Sequence, residues 1–186
     1  LEIVSGKPFD EIIDERILQP LGMDSTYFNV PAEYNNLRVN IKDRDMSRFL
    51  DRPPTKYFSA SGGLTSSAED YLRFEQMLLN GGELFGNRLL SPRSVRMMSS
   101  NQIGGLYKSF SRQQEGMGFG YTVAVTLDPI TSNARRSAGA FGWGGAFGTR
   151  SWTDPEEELT AVIMLQQAYG PAQYDFENAV QQAIVE

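Results

Sequence analysis

The sequence predicts an α+β fold, an antiparallel sheet flanked by helices. Two observations carry this. Through the first hundred residues apolar side chains recur mainly at helical spacing, as in Phe9, Ile12, Ile13 and Ile17. Between Gly118 and Gln166, runs rich in aromatic and β-branched residues are instead separated by tight turns. The expected organisation is one unit over 1–186: helices and long loops over 1–117, an antiparallel meander of three strands over 118–168, and a closing helix over 171–185.

Leu1–Gly6 reads as the last turns of a helix already under way, closed by Gly6. It lacks the basic start of a signal peptide, so it leaves the compartment open between a soluble cytoplasmic and a periplasmic or secreted protein. Pro8 suits the first turn of a new helix, which runs to Pro20. From Asp24 to Pro54 the periodicity fails, with short strands expected around Leu37–Ile41. Thr65, Ser66 or Ser67 can cap the next helix, and Glu69 stands three residues beyond Ser66 as in a capping box. That helix, with Leu72, Met77, Leu78 and Leu79, ends at Gly81-Gly82. Glu83–Leu90 reads as a short loop, and Ser91-Pro92 opens a further helix whose Met97 and Met98 fill core. Gly118–Val125 is the first strand, and Pro129–Ser137 is a turn in which Arg135-Arg136 is solvated. Asp24, Asp70 and Asp154 read as caps and turn residues, and the closing helix presents Phe176, Val180 and Ile184 on one face.

Composition narrows the function. Seventeen basic residues stand against twenty-three acidic ones, a formal net charge of −6, and no Lys/Arg-rich run offsets it. Nucleic acid and anionic membranes are therefore excluded as expected partners. The chain holds no cysteine and no histidine, which removes a thiolate nucleophile, a Ser-His-Asp arrangement and the common zinc ligands. No apolar run approaches membrane-spanning length.

The stretch Gly139–Arg150, G-A-F-G-W-G-G-A-F-G-T-R, is the most probable place for chemistry. A strand carries so many glycines where something comes close to its backbone or where it bends sharply. Here the expectation is one central strand running on through Trp152. Trp143 can face a substrate or pack on the helical layer. Arg150 can hold substrate or form an ion pair with Asp154 or Glu156.

Several motifs in order then carry a resemblance. They are Gly6-Lys7-Pro8-Phe9, Ile17-Leu18-Gln19-Pro20-Leu21-Gly22-Met23, Ser61-Gly62-Gly63-Leu64, Gly120-Tyr121, Phe141-Gly142-Trp143-Gly144-Gly145 and Trp152-Thr153-Asp154-Pro155. Together they resemble the serine β-lactamase-like superfamily, in particular class C β-lactamases, DD-peptidases and family VIII-type carboxylesterases. The resemblance implies the C-terminal portion of a β-lactamase/transpeptidase-like fold, incomplete as a single chain. The family's Ser-x-x-Lys and Tyr/Ser-x-Asn motifs are then expected upstream of Leu1. No Ser-x-x-Lys occurs in the sequence, and Tyr27-Phe28-Asn29 has the second spacing only by accident of an ordinary connection.

The family's third motif, Lys/His-Thr/Ser-Gly, resembles Trp143-Gly144-Gly145. Trp143, Gly144 and Gly145 are thereby implied as substrate-binding, and Arg150 is a further candidate. Ala146 is implied as the residue whose backbone N–H forms half an oxyanion hole. Trp cannot place positive charge near a substrate carboxylate, and Gly144 removes a hydroxyl, so a neutral apolar acyl or alcohol group suits this wall. The function implied is hydrolysis of a small ester or amide, or acyl transfer, through an acyl-serine, with no cofactor. The nucleophile and general base come from a complementary N-terminal chain or segment, and the chain alone is catalytically silent. The alternatives are a β-lactamase or DD-peptidase fragment, a non-catalytic ligand-binding or structural homologue, and self-association through the exposed sheet.

Overall fold

The computed structural model describes residues 1–39, 56–109, 115–167 and 171–184. Its centre is a five-stranded antiparallel sheet in simple sequential order. Helices cover both faces. No helix among the described residues is long and apolar enough to cross a membrane.

The N-terminal helix α1 (Glu2–Ser5) ends at Gly6, whose left-handed φ of 68° closes the turn as expected. Next come α2 (Phe9–Ile13), a π-helical turn over Asp14–Leu18, and α3 (Gln19–Leu21). The wider turn lies just ahead of Pro20, whose ring would crowd a regular α-helical carbonyl. Ala32–Leu37 is a 3₁₀ helix where a strand was expected to begin, and residues 40 and 41 of that expected strand lie outside the described residues. Of the three candidate caps, Ser67 caps α4 (Ala68–Leu79), its Oγ accepting the Asp70 N–H at 3.1 Å. Ser66 instead hydrogen-bonds Thr26 at 2.7 Å, and Glu69 pairs with Arg73 at 2.8 Å rather than closing a capping box.

Glu83–Leu90 is not a plain loop. Strands β1 (Glu83–Leu84) and β2 (Asn87–Arg88) form a hairpin whose turn residues, Phe85 and Gly86, both have positive φ. Ser91 then caps α5 (Pro92–Met98), accepting the Ser94 N–H at 3.0 Å. Met98 packs against the core, whereas Met97 is exposed.

The expected meander of three strands is in fact five, because two of the expected strands fold back on themselves. The first divides into β3 (Met117–Phe119) and β4 (Ala124–Thr126) at a turn where the Gly120 N–H meets the Val123 carbonyl at 2.8 Å. The Gly-rich stretch divides into β5 (Phe141–Gly144) and β6 (Arg150–Asp154). Its turn is closed by the Gly145 N–H on Thr149 and the Gly148 N–H on Gly145, at 2.8 and 3.0 Å. The left-handed residue is Thr122 in the first turn, with φ 72°, and Gly148 in the second, with φ 87°. β7 (Leu159–Ile163) completes the sheet. Between β4 and β5, a short helix α6 (Pro129–Ser132) is capped by Asp128, which takes the Ile130 N–H at 3.0 Å.

Alternation along β6 sorts the two layers. Ser151 and Thr153 face α4, and Thr153 Oγ1 donates to Glu75 Oε2 at 2.6 Å. Arg150 and Trp152 face the closing helix α7 (Ala172–Gln182), where Trp152 meets Phe176 edge-on at 5.8 Å. The main apolar core lies on the first side, where Leu18, Leu21, Met23, Met77, Leu78, Val95, Val125 and Phe141 are buried together. On α7, Phe176 and Val180 are only half-buried, as is Ile184 just beyond the helix, and the buried residue is Glu177.

Candidate active site

The Gly-rich hairpin β5–β6 positions the sequence-predicted residues. Gly142 is required by the fold, since a Cβ there would stand 2.2 Å from the Ser151 carbonyl oxygen of the neighbouring strand. Gly145 is held as closely, 2.2 Å from Thr149 Oγ1, and Gly148 would meet the Gln167 carbonyl oxygen at 2.3 Å. Gly144 differs. Its nearest contact would be the Thr149 carbonyl oxygen at 3.4 Å, an ordinary van der Waals distance. The protein itself leaves room for a side chain there.

Trp143 sits between these glycines, half-exposed, with its ring edge-on to Phe119 at 5.3 Å and 85°. It is neither buried in the helical layer nor free of the protein. Ala146 is exposed at the tip of the following turn, and among the described residues no hydrogen bond engages its N–H. Trp143, Gly144, Gly145 and Ala146 thus lie on one exposed rim: an apolar ring, two residues without side chains, and a backbone N–H with no hydrogen bond among the described residues.

Arg150 is not brought to this rim. It lies opposite Gly144 in register, but its side chain is on the face that carries Trp152. Its Nη2 is 2.8 Å from Glu177 Oε2 and its guanidinium lies 5.4 Å from the Tyr174 ring centroid. The partners expected from sequence, Asp154 and Glu156, do not serve. Asp154 is buried and accepts the Ser137 N–H at 2.9 Å. Arg136, expected in a solvated turn, is buried too: it donates to Glu177 through Nε at 2.7 Å and lies over Trp152 at 5.3 Å. Burial, then repulsion from Arg136, pulls the Arg150 guanidinium below its ordinary pKa, and Glu177 opposes both. One carboxylate therefore bridges two guanidiniums between α7 and the sheet.

Sequence reasoning also missed the polar group on the opposite face. Glu75 is buried among the core helices, and its desolvation pushes the carboxyl pKa up, against hydrogen bonds from Ser151 and Thr153 that lower it. The available signal was the alternation of β6 itself. Polar Ser151 and Thr153 share the face of apolar Phe141, which requires a buried polar partner on the covering helix. Asp70, read as a cap, is likewise buried and accepts the Ser25 N–H and the Thr26 hydroxyl, each at 2.8 Å. Tyr27 is spent on structure: its backbone pairs with Thr65 and its hydroxyl donates to the Asp24 carbonyl.

An uncharacterised protein of Mycobacterium tuberculosis is 36% identical over 178 residues, 88% of this chain and 44% of the relative. Esterase EstB of Burkholderia gladioli is 26% identical over 208 residues, covering 97% of this chain and 50% of that protein. The solved structure of the hydrolase EstCE1 superposes with a TM-score of 0.79 at 22% identity, over 97% of this chain and 52% of the other. The chain thus spans about half the length of the relatives it matches. The Beta-lactamase family model matches residues 1–185, and with an antiparallel sheet flanked by helices of that fold, the chain belongs to the Beta-lactamase family.

Proposed function

We propose that Trp143, Gly144, Gly145 and Ala146 form the substrate-side wall and half the oxyanion hole of a serine hydrolase acting on carboxylic esters, or transferring their acyl groups. The observation that carries this is Gly144, a residue the fold does not oblige to be glycine, set between a half-exposed indole and the exposed Ala146, whose N–H has no hydrogen bond among the described residues. Space kept open against the backbone of a strand is space for a substrate.

In this reading a serine from a segment or chain that bears Ser-x-x-Lys attacks the ester carbonyl, and its proton passes to the lysine-assisted base. The Ala146 N–H stabilises the oxyanion of the tetrahedral species. Collapse expels the alcohol and leaves an acyl-serine, which water or an acceptor alcohol then releases. Trp143 supplies an uncharged apolar wall, which suits an ester with a neutral acyl group better than a substrate bearing a carboxylate. The similarity to an esterase points the same way.

A serine-directed alkyl phosphonate tests it. The phosphonate is expected to label the protein assembled with the Ser-x-x-Lys segment, on a serine outside residues 1–186, and to leave this chain unlabelled when it is alone. Stoichiometric labelling within this chain, located by peptide mass, would overturn the missing-nucleophile account.

A further inference from the structure

We infer that Phe119 is the positioning residue of the site: it fixes the plane of the Trp143 indole, so the shape of the apolar wall is set from the β3–β4 hairpin rather than by the strand that carries the tryptophan. β4 pairs with β5 only at Phe141 and Gly142, whereas Trp143 and Gly144 pair with β6 alone. On the β4 side, among the described residues, Trp143 therefore has no partner in the ladder. Along its own strand it is flanked by Gly142, Gly144 and Gly145, none of which has a side chain to lean on. Its partner across β6 is Ser151, a small residue engaged with Glu75. Among the described residues the aromatic ring it meets is that of Phe119, in the edge-to-face arrangement that aromatic quadrupoles favour.

Phe119 is itself fixed. Its N–H donates to Asn101 Oδ1 at 3.3 Å and its carbonyl accepts the Gln102 N–H at 2.8 Å. Its ring lies 5.5 Å from that of buried Tyr107. The flanking residues are locked against the same segment: a Cβ at Gly118 would meet Asn101 at 2.7 Å, and one at Gly120 would meet the Met98 carbonyl oxygen at 1.9 Å. A rigid support under one edge of a half-exposed ring leaves its remaining surface for a ligand. The identity of that ligand, an aliphatic acyl or alcohol chain, rests on the ester-hydrolase reading. The positioning of the indole does not.

The two tryptophans of residues 1–186 make this measurable, because Trp152 is fully buried (0% exposed) and Trp143 is 53% exposed. Acrylamide quenching of intrinsic fluorescence thus reports the accessible indole, Trp143. Phe119→Leu is expected to raise the quenching constant of that fraction, by up to about twofold given its present exposure. It should also weaken binding of hexanamide, followed by Trp143 emission with acetamide as control, by about two- to tenfold. Phe119→Tyr keeps the ring edge and is expected to restore both. Should the Leu variant fail to fold, Phe119→Met reads the same quenching constant. Unchanged quenching in the Leu or Met variant, or no restoration by Tyr, would overturn the inference. Altered quenching with no hexanamide binding by the parent would uphold the positioning role and sink the aliphatic-wall reading instead.

Discussion

Gly142 and Gly144 stand two residues apart on β5 and are glycine for different reasons. At Gly142 the neighbouring strand fills the space, so Gly142→Ala forces backbone apart and is expected to cost about 3 kcal/mol of stability. At Gly144 the added methyl meets nothing closer than van der Waals contact, so Gly144→Ala is expected to change stability by less than about 0.5 kcal/mol. If the space belongs to a substrate, the same change lowers kcat/KM for an ester in the assembled enzyme by about tenfold or more. Urea unfolding and ester turnover on the pair of variants separate the two roles. Equal turnover by Gly144→Ala and parent would mean that no substrate lies on that backbone. In the sequence the two glycines look alike, since their difference is a distance to residues on another strand.

The closing helix α7 is tied to the sheet by charge at its centre and by half-buried apolar residues around it. Glu177 accepts from Arg136 and from Arg150, with contacts of 2.7 and 2.8 Å, in a nearly dry layer beside Trp152. Removing the carboxylate leaves two guanidiniums facing each other without a counter-charge, and the remaining partner of a buried pair is costly to strand. Glu177→Gln is therefore expected to destabilise by about 3–5 kcal/mol and to loosen α7 first, seen as faster amide exchange over residues 172–182. Unchanged protection of α7 would mean that its apolar contacts suffice. The helix itself was legible from its spacing and from Gly170-Pro171. Its mode of attachment was not, because Arg136 and Glu177 are 41 residues apart and each alone reads as a surface charge. The strand count failed for a related reason. Thr122, at φ 72°, carries no local signal for a reversal, and Gly148 permits both an extended path and a turn, so only pairing with the adjacent strand selects the hairpins.

Across the whole molecule, the helix–sheet–helix arrangement buries several carboxyls, and burial raises the pKa of Glu75. Glu75 lies between α4 and β6, with its pKa raised by burial above the ordinary 4.5. The folded chain then keeps a proton that the unfolded chain has already released. The stability contributed by this group is full below the ordinary value and is lost as pH rises through the raised one. Glu75→Gln keeps the hydrogen-bonding shape without the ionisation. The variant is expected to hold its urea midpoint over that pH range where the parent declines, and parallel midpoints from pH 4.5 to 8 would show that Glu75 ionises freely in the fold.

By itself the sequence determined the fold class, the family resemblance and the helix ends at Gly6 and Ser91. Each of these is written in neighbouring residues: a period, a cap, a turn glycine, a short motif. Only the tertiary structure decided that the Gly-rich strand is a hairpin, that Arg150 and Arg136 both pair with Glu177, and that the Phe119 ring meets the Trp143 indole. Those outcomes depend on which surfaces meet across the sheet, and a buried charge or a propped ring is defined by its neighbours in space rather than in sequence.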